Sequence, residues 1–88
     1  MKTPSYTGQF KKDRKTAKKR GYDLNELDKI IEKLLMEIPL PPENRDHTLS
    51  GNYANRRECH IAPDWLLIYF PEEKRITFER TGTHSDLF

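Results

Sequence analysis

The apolar residues of this 88-residue chain follow two different periods, and the change lies near its middle. Between residues 23 and 38 they recur at i, i+3, i+4 and i+7, the spacing of a helix with one buried face. Asp23 can cap the first turn of this helix, and Pro39 stops it. From Tyr53 onward the period is two, which indicates strands. The apolar face of the helix comprises Leu24, Leu27, Ile31, Leu34, Leu35 and Ile38.

Three strands are predicted in the second half of the chain, at about 54–61, 65–70 and 75–81. The links between them are short, so sequential strands are expected to form an antiparallel meander. The second of these strands is apolar throughout and is predicted to lie at the centre of the sheet. Alternation along the first strand directs Cys59 towards one face and His60 towards the other.

The N-terminal part of the chain adds two weaker elements. Residues 4–9 can form a short strand, whose glycine and proline restrict it to the edge of a sheet. Residues 9–20 are predicted to form a second helix, with Gly21 at its C-terminal cap. The proline-rich segment 39–52 is predicted to be a loop.

These elements together predict an α+β fold, in which a short N-terminal strand precedes two helices packed on one face of a small, mainly antiparallel sheet. A chain of this length is expected to be one domain, residues 1–88. The single Cys59 excludes an intramolecular disulfide and a multi-cysteine zinc site. No signal region or apolar membrane-spanning run is present, so a soluble cytoplasmic protein is expected.

Positive charge is concentrated in one segment of the chain. Residues 11–20 carry a net charge of +6, whereas the rest of the chain sums to −4. Such a block favours contact with a polyanion such as RNA, although a solvated helix face is the alternative. Phosphate contacts of this kind give an affinity that is sensitive to salt and independent of sequence. The basic residues of the segment are Lys11, Lys12, Arg14, Lys15, Lys18, Lys19 and Arg20.

Three histidines, one aspartate and one arginine are the candidates for chemistry. All three histidines lie beside turn residues in the second half of the chain. Histidine can donate or accept a proton near neutral pH. Cleavage of RNA by its own 2′-hydroxyl needs a base, an acid and a cation that stabilises the phosphorane, and this set supplies them without a metal. The set comprises His47, His60, Asp64, His84 and Arg80.

Other interpretations of the same residues remain open. Histidine and carboxylate side chains also bind zinc, although no His-x₃-His or similar ligand spacing is present. Arg80 could instead pair with Glu79 or Asp86. Trp65 could belong to the core rather than to a surface that stacks on a base. From the residues alone, a non-catalytic module that binds RNA or an acidic protein through the basic helix also fits.

Three segments of the chain resemble one protein family closely. Residues 45–51 contain Asp-His-Thr-Leu-Ser-Gly, residues 57–69 contain Cys-His-Ile-Ala-Pro-Asp-Trp, and residues 78–88 end in Arg-Thr-Gly-Thr-His-Ser-Asp-Leu-Phe. Their order and spacing resemble the YafQ subgroup of RelE-type bacterial toxins, the toxin halves of type II toxin–antitoxin modules. The resemblance extends over essentially the whole chain, because the N-terminal strand and the two helices also fit.

The resemblance implies a RelE-like, microbial RNase-type fold and a ribosome-dependent endoribonuclease, which cleaves mRNA in the A site without a metal or other cofactor. It also implies a small antitoxin, which wraps and neutralises the toxin and carries the operator-DNA binding of the complex. By motif, His47, His60, Asp64 and His84 match the family's catalytic positions. Our hypothesis for their roles is His84 as general acid, His60 or Asp64 as base, and His47 in support. Arg80 matches the family's phosphate-stabilising arginine, and the basic helix is expected to contact ribosomal RNA. Two further residues, Trp65 and Phe88, are expected to line the site.

Overall fold

The computed structural model describes residues 1–88 and contains a five-stranded sheet and three α-helices, in agreement with the predicted α+β class. None of the helices has the length and apolar character that crossing a membrane requires. Two single-turn 3₁₀ helices lie in the loops, at Pro42–Asn44 and Gly51–Tyr53. The helices are α1 (Gly8–Lys19), α2 (Leu24–Leu35) and α3 (His84–Leu87); the strands are β1 (Thr3–Tyr6), β2 (His47–Thr48), β3 (Arg57–Ala62), β4 (Trp65–Pro71) and β5 (Arg75–Gly82).

Helix α1 begins and ends with local hydrogen bonds that its sequence provides. The hydroxyl of Thr7 accepts a hydrogen bond from the N–H of Phe10 at 3.0 Å and so caps the first turn. The helix terminates before Gly21, as predicted, because a φ of 83° there reverses the chain at little steric cost. Phe10 and Ala17 are the residues that α1 buries against the rest of the protein.

Helix α2 ends at Leu35, three residues earlier than the periodicity predicts. Glu37 adopts a left-handed φ of 59°, and the N–H of Ile38 donates to the carbonyl of Lys33 at 2.9 Å, which closes a Schellman-type turn. Ile38 is therefore 44% exposed, and its assignment to the buried face was wrong. A residue that precedes a proline is disfavoured in helical backbone, and Ile38 precedes Pro39. Ile38 therefore fits the apolar period of the helix but lies outside it.

The strand order is β1-β5-β4-β3-β2, with β4 at the centre as predicted. Strands β3, β4 and β5 form the predicted antiparallel meander, and β1 occupies an edge, where it pairs in parallel with β5. Strand β2 was not predicted, because segment 39–52 was interpreted as a loop. It contributes two residues, which pair with Glu58 and Arg57 of β3, and two residues are too few to show a period.

The two faces of the sheet are covered unequally. On one side, which we call the helix face, a cluster of 13 buried residues joins the strands to α1 and α2. On the other side, the open face, Leu66 and Ile68 pack with a single further buried residue, Leu87 of α3. Leu49 and Tyr53 add partial cover from the loop before β3. Most of the open face is consequently left to polar side chains and to solvent.

Candidate active site

His84 is held by the turn between β3 and β4. Asp64 in that turn accepts two hydrogen bonds from His84, one from ring Nδ1 at 2.8 Å and one from the backbone N–H at 3.2 Å. Both side chains are exposed to solvent. Because Nδ1 is engaged by Asp64, Nε2 is the ring nitrogen that remains available to exchange a proton.

The same contact changes the chemistry of the carboxylate. The hydrogen bond from the His84 side chain, and then the one from its backbone, lower the pKa of the Asp64 carboxyl below its usual value. A carboxylate with a lowered pKa is a weaker base. The geometry therefore suits Asp64 to orienting His84, and the choice between His60 and Asp64 as the base stays a prediction.

His60 faces His84 from strand β3. The two ring centroids lie 5.8 Å apart, with the planes at 64°. The backbone near the ring is anchored by Asn44, whose side-chain amide donates to the His60 carbonyl at 2.7 Å. The neighbouring Cys59 is fully buried on the helix face, as the alternation predicts, and burial raises the pKa of its thiol. A nucleophilic thiolate is thereby disfavoured at this site.

Glu58 is a carboxylate with 5% exposure that lies between two of the histidines. Its Oε1 is 3.5 Å from His47 Nε2 and 3.7 Å from His60 Nε2. These distances are long for hydrogen bonds but short for an electrostatic interaction at low dielectric. A carboxylate this buried is costly without a positive partner, and these two imidazoles are the ionisable side chains that approach it.

His47 reaches the site because side-chain contacts hold the loop before it. Its Nδ1 donates to the carbonyl of Arg45 at 2.6 Å, and Arg45 has a left-handed φ of 47°. Asp46 accepts a hydrogen bond from the hydroxyl of Tyr69 in the central strand. Burial, and then the Asp46 contact, raise the pKa of Tyr69, so its hydroxyl stays a donor. The loop is thus tied to the sheet at the residue that precedes His47.

Arg80 lies in the same row of the sheet as Glu58, because both residues pair with Ile68 of the central strand. Neither of the acidic neighbours considered in the sequence pairs with it. Instead Asp13 of helix α1 accepts from Nε at 2.8 Å and from Nη2 at 3.3 Å, and this contact raises the pKa of Arg80. The hydrogen bonds to Asp13 use Nε and Nη2, and the hydroxyl of Tyr53 is a further neighbour that raises the pKa of Arg80.

Trp65 belongs to the core, the alternative that the sequence had left open. It is 5% exposed, its indole N–H donates to the hydroxyl of Thr81 at 2.9 Å, and its ring packs against Tyr22 at 4.9 Å between centroids. Its ring faces are therefore not free to stack on a base. Trp65 and Asp64 line the same cleft, so contact of Trp65 with substrate stays a prediction.

Phe88 is the aromatic residue that lies open beside His84. It is 63% exposed, and its ring centroid is 6.4 Å from that of His84. Tyr53 supports it edge-on at 5.6 Å. An exposed aromatic ring of this kind is a surface on which a nucleobase can stack, and the role of Phe88 in binding substrate stays a prediction.

The basic segment divides into free and paired side chains. The two arginines are paired within the protein, Arg14 with Asp28 at 2.7 Å and Arg20 with Asp86 at 2.6 Å. The lysines of the segment are exposed and make no ion pair: Lys11, Lys12, Lys15, Lys18 and Lys19. Contact of this face with a polyanion stays a prediction.

Three of the site residues also form a set of metal-ligating atoms. One atom each from Glu58, His60 and His84 lies within 4.8 Å of the others. Such donors suit a zinc-like ion. No short ligand motif revealed this set, because α3 is brought to β3 only by the fold. The geometry alone thus allows acid–base chemistry or metal-assisted chemistry.

Comparison with known proteins identifies the family. A family model described as "Bacterial toxin of type II toxin-antitoxin system, YafQ" matches residues 2–88. The chain belongs to the YafQ toxin family. The assignment made from the three sequence segments is thereby confirmed.

Relatives in the YafQ family support the same conclusion at the level of sequence and fold. The chain is 45% identical over 84 residues to mRNA interferase toxin YafQ of Escherichia coli strain K12, covering 94% of this chain and 91% of that protein. The crystal structure of YafQ from E. coli strain BL21(DE3) matches with a TM-score of 0.94 at 42% identity, over 100% of this chain and 99% of that one. A chain of the E. coli DinJ–YafQ complex matches with a TM-score of 0.93 at 43% identity, again over 100% and 99%.

Several polar residues that hold the site were not among those predicted from the sequence. They act on their neighbours through side-chain hydrogen bonds, and no period or motif marks such a role. For one of them the sequence did contain a feature: Asp13 is the single acidic residue within the basic segment 11–20. The residues are Asp13, Asn44, Asp46 and Asp86.

Proposed function

We propose that this chain is the toxin of a type II toxin–antitoxin module and cleaves mRNA in the ribosomal A site, without a metal, by attack of the 2′-hydroxyl on the adjacent phosphate. The observation that carries the proposal is the facing pair His60 and His84, with Asp64 bound to Nδ1 of His84 at 2.8 Å. The activity named for the E. coli relative, mRNA interferase, supports it.

In the proposed reaction His60 accepts the proton of the 2′-hydroxyl as O2′ attacks phosphorus. The P–O5′ bond breaks, and Nε2 of His84 donates a proton to the departing O5′. The products are a 2′,3′-cyclic phosphate and a 5′-hydroxyl end. Acid–base catalysis of this kind contributes roughly 10²–10⁴-fold. Asp64 keeps the His84 ring in the orientation that the transfer needs, as a carboxylate does for a catalytic imidazole.

Neighbouring charges compensate those that develop during the reaction. The carboxylate of Glu58, 3.7 Å from His60 Nε2, stabilises the imidazolium that His60 becomes. Arg80 is on the same face, and its guanidinium stabilises the negative charge of the phosphorane. His47 supports the arrangement through its own approach to Glu58.

Substrate contacts extend from the site onto the surface. The exposed ring of Phe88 stacks on a base beside the scissile phosphate. The lysines of α1 contact ribosomal RNA, which gives salt-sensitive affinity. A site this small is sufficient because the ribosome holds the mRNA in place. The toxin itself therefore does not have to bear the entropic cost of positioning the substrate.

The proposed partner, besides ribosome and mRNA, is a small cognate antitoxin that wraps and neutralises the toxin domain of residues 1–88. The E. coli relative has been seen in a complex of this kind, DinJ–YafQ. In the proposed complex the antitoxin carries the binding to operator DNA. The toxin acts in the cytoplasm, where its substrate is.

The test is cleavage of a defined mRNA on programmed 70S ribosomes by the purified chain. His84→Ala is expected to slow cleavage by at least about 10²-fold, because the leaving group loses its proton donor. Ser85→Ala is the matched control, since Ser85 is the exposed neighbour of His84 in α3. Cleavage by His84→Ala at the rate of the control would contradict the proposal.

The chemistry of the cut ends separates the remaining alternatives. The proposed reaction leaves a cyclic phosphate, and a 2′-deoxy nucleotide at the cut position should block it. A metal hydrolase would instead leave a 5′-phosphate end and lose activity with 1,10-phenanthroline, which binds zinc but spares the Mg²⁺ of ribosomes. A non-catalytic binding module would act unchanged after replacement of all three histidines.

A further inference from the structure

The ion pair between Arg20 and Asp86 joins helix α1 to the segment that carries His84. We propose that Asp86, anchored by Arg20, is a positioning residue that sets the orientation of His84 for proton transfer. This inference rests on the proposed role of His84 as the general acid. In this proposal Arg20 acts through its contact with Asp86 and not by binding RNA.

Asp86 stands at the centre of a local set of hydrogen bonds. Its Oδ2 accepts from the N–H of Thr83 at 2.9 Å, and the hydroxyl of Thr83 accepts from the N–H of Asp86 at 3.2 Å, which is a capping box. Arg20 binds the same carboxylate with two nitrogens, Nη1 to Oδ2 at 2.6 Å and Nη2 to Oδ1 at 3.2 Å. The turn that leads into His84 is therefore fastened both to itself and to α1.

The end of strand β5 is shaped around this carboxylate. A Cβ placed on Gly82 would lie 2.9 Å from Oδ2 of Asp86 and 3.0 Å from its Cβ, closer than side-chain carbons normally approach. Gly82 has no left-handed φ to explain its presence, so the close approach of Asp86 is the constraint. Glycine here lets the carboxylate sit directly over the strand end.

Helix α3 has only four residues, and a helix of that length is not stable by itself. His84 therefore depends on contacts from outside the helix. Asp64 fixes its ring and Asp86 fixes the turn from which the ring projects. A displacement of about 1 Å at a reacting group can cost on the order of 10²-fold in rate. An exposed ion pair adds little to global stability, so its loss should alter the rate more than the fold.

The experiment compares Asp86→Ala with Glu72→Ala in the ribosome cleavage assay. Glu72 accepts from Arg75 at the opposite end of β5, so the control also removes an exposed arginine–carboxylate pair. Asp86→Ala is expected to lower kcat by about 10- to 100-fold with KM within about twofold of the wild type. Glu72→Ala should change neither. Gly82→Ala is a second variant, and it should lower kcat in the same direction by displacing the carboxylate.

A double-mutant cycle then asks whether Asp86 and Arg20 act together. If they form one unit, Asp86→Ala combined with Arg20→Ala should lower kcat no further than Asp86→Ala alone. Nitrogen-detected NMR of the His84 ring gives a readout independent of catalysis, and Asp86→Ala should weaken the signature of the Nδ1 hydrogen bond to Asp64. A kcat for Asp86→Ala equal to that of Glu72→Ala, with an unchanged ring spectrum, would overturn the inference. If His84→Ala itself still cleaved RNA, the proposed function would fail instead, so the two failures are distinct.

Discussion

The two faces of the sheet are built on different principles. The helix face is covered by two regular helices of 12 residues each, which contribute to a continuous cluster of 13 buried residues. The open face is covered by α3, with four residues, and by the loop around β2, with two. Its buried cluster has three residues. All three histidines are carried by or reach this second face.

The difference shows that this small domain obtains most of its stability from one face of the sheet and places its candidate catalytic side chains on the other. Burial of apolar area scales with contact area, so long amphipathic helices supply most of it on one side. Catalytic side chains need solvent and substrate, which a continuous apolar cover would exclude. The open face instead positions its groups with hydrogen bonds and ion pairs from short segments. We expect changes on the helix face to alter mainly unfolding, and changes on the open face to alter mainly activity.

The largest effect on stability is expected at Leu27, a fully buried residue of α2. Leu27→Ala should lower the free energy of unfolding by roughly 2–5 kcal/mol, because it leaves a cavity in the large cluster. Urea denaturation measures this as a lower midpoint at an unchanged m-value. Cleavage per folded molecule should stay near that of the wild type.

The matched change on the open face is Leu87→Ala. Leu87 belongs to the three-residue cluster and lies in the same short helix as His84. The loss of stability should be smaller than for Leu27→Ala, since the thin cover can collapse onto the gap. Cleavage per folded molecule should fall because α3 loses its apolar anchor. If Leu27→Ala proved the more damaging to cleavage of folded protein, the division between the two faces would be broken.

The next effect concerns the assignment of Trp65 to the helix face. Thr81→Val removes the acceptor of the indole N–H in a buried place and should cost about 1–3 kcal/mol of stability. Trp65→Phe removes the donor itself but leaves a cavity, so the two changes together should cost less than the sum of the single changes. The check is thermal or urea unfolding of the single and double variants. A large loss of cleavage in folded Thr81→Val would instead indicate that Trp65 and Thr81 belong to the active site.

The smallest effect is a dependence of stability on acid pH. Partners in the folded state lower the pKa values of two carboxyls, Asp64 chiefly through His84 and Asp86 chiefly through Arg20. The folded state therefore binds these protons more weakly than the unfolded state does. The resulting stabilisation is complete above the usual carboxyl pKa of about 4 and is lost as pH falls through the lowered folded values.

Asp86→Asn should make this decline shallower, because one of the perturbed carboxyls is gone. The measurement is the urea midpoint of wild type and variant at a series of pH values from neutral to acid. Curves that remained parallel throughout the acid range would show that Asp86 carries no such linkage.

Much of the fold was predictable because hydrophobic periodicity and the residues that end helices and strands are local properties of the sequence. The apolar stripe of α2, the meander of β3 to β5 and the glycine after α1 all follow from residues close in sequence. The errors occurred where tertiary contacts decided. Ile38 kept the helical period but fell beyond the turn at Glu37, and β2 was too short to have a period. The sequence left open whether Trp65 belongs to the core, and its contact with Thr81, sixteen residues away, was visible only in the fold.

The sequence by itself determined the fold class, the family and the candidate residues of the site, since these depend on local pattern and on motif identity. The tertiary structure alone decided how those residues meet. It put Asp64 on Nδ1 of His84, brought Glu58 between two histidines and paired Arg80 with Asp13. These contacts join residues as far as 67 positions apart, and their geometry follows from strand register and helix packing, which no local pattern records.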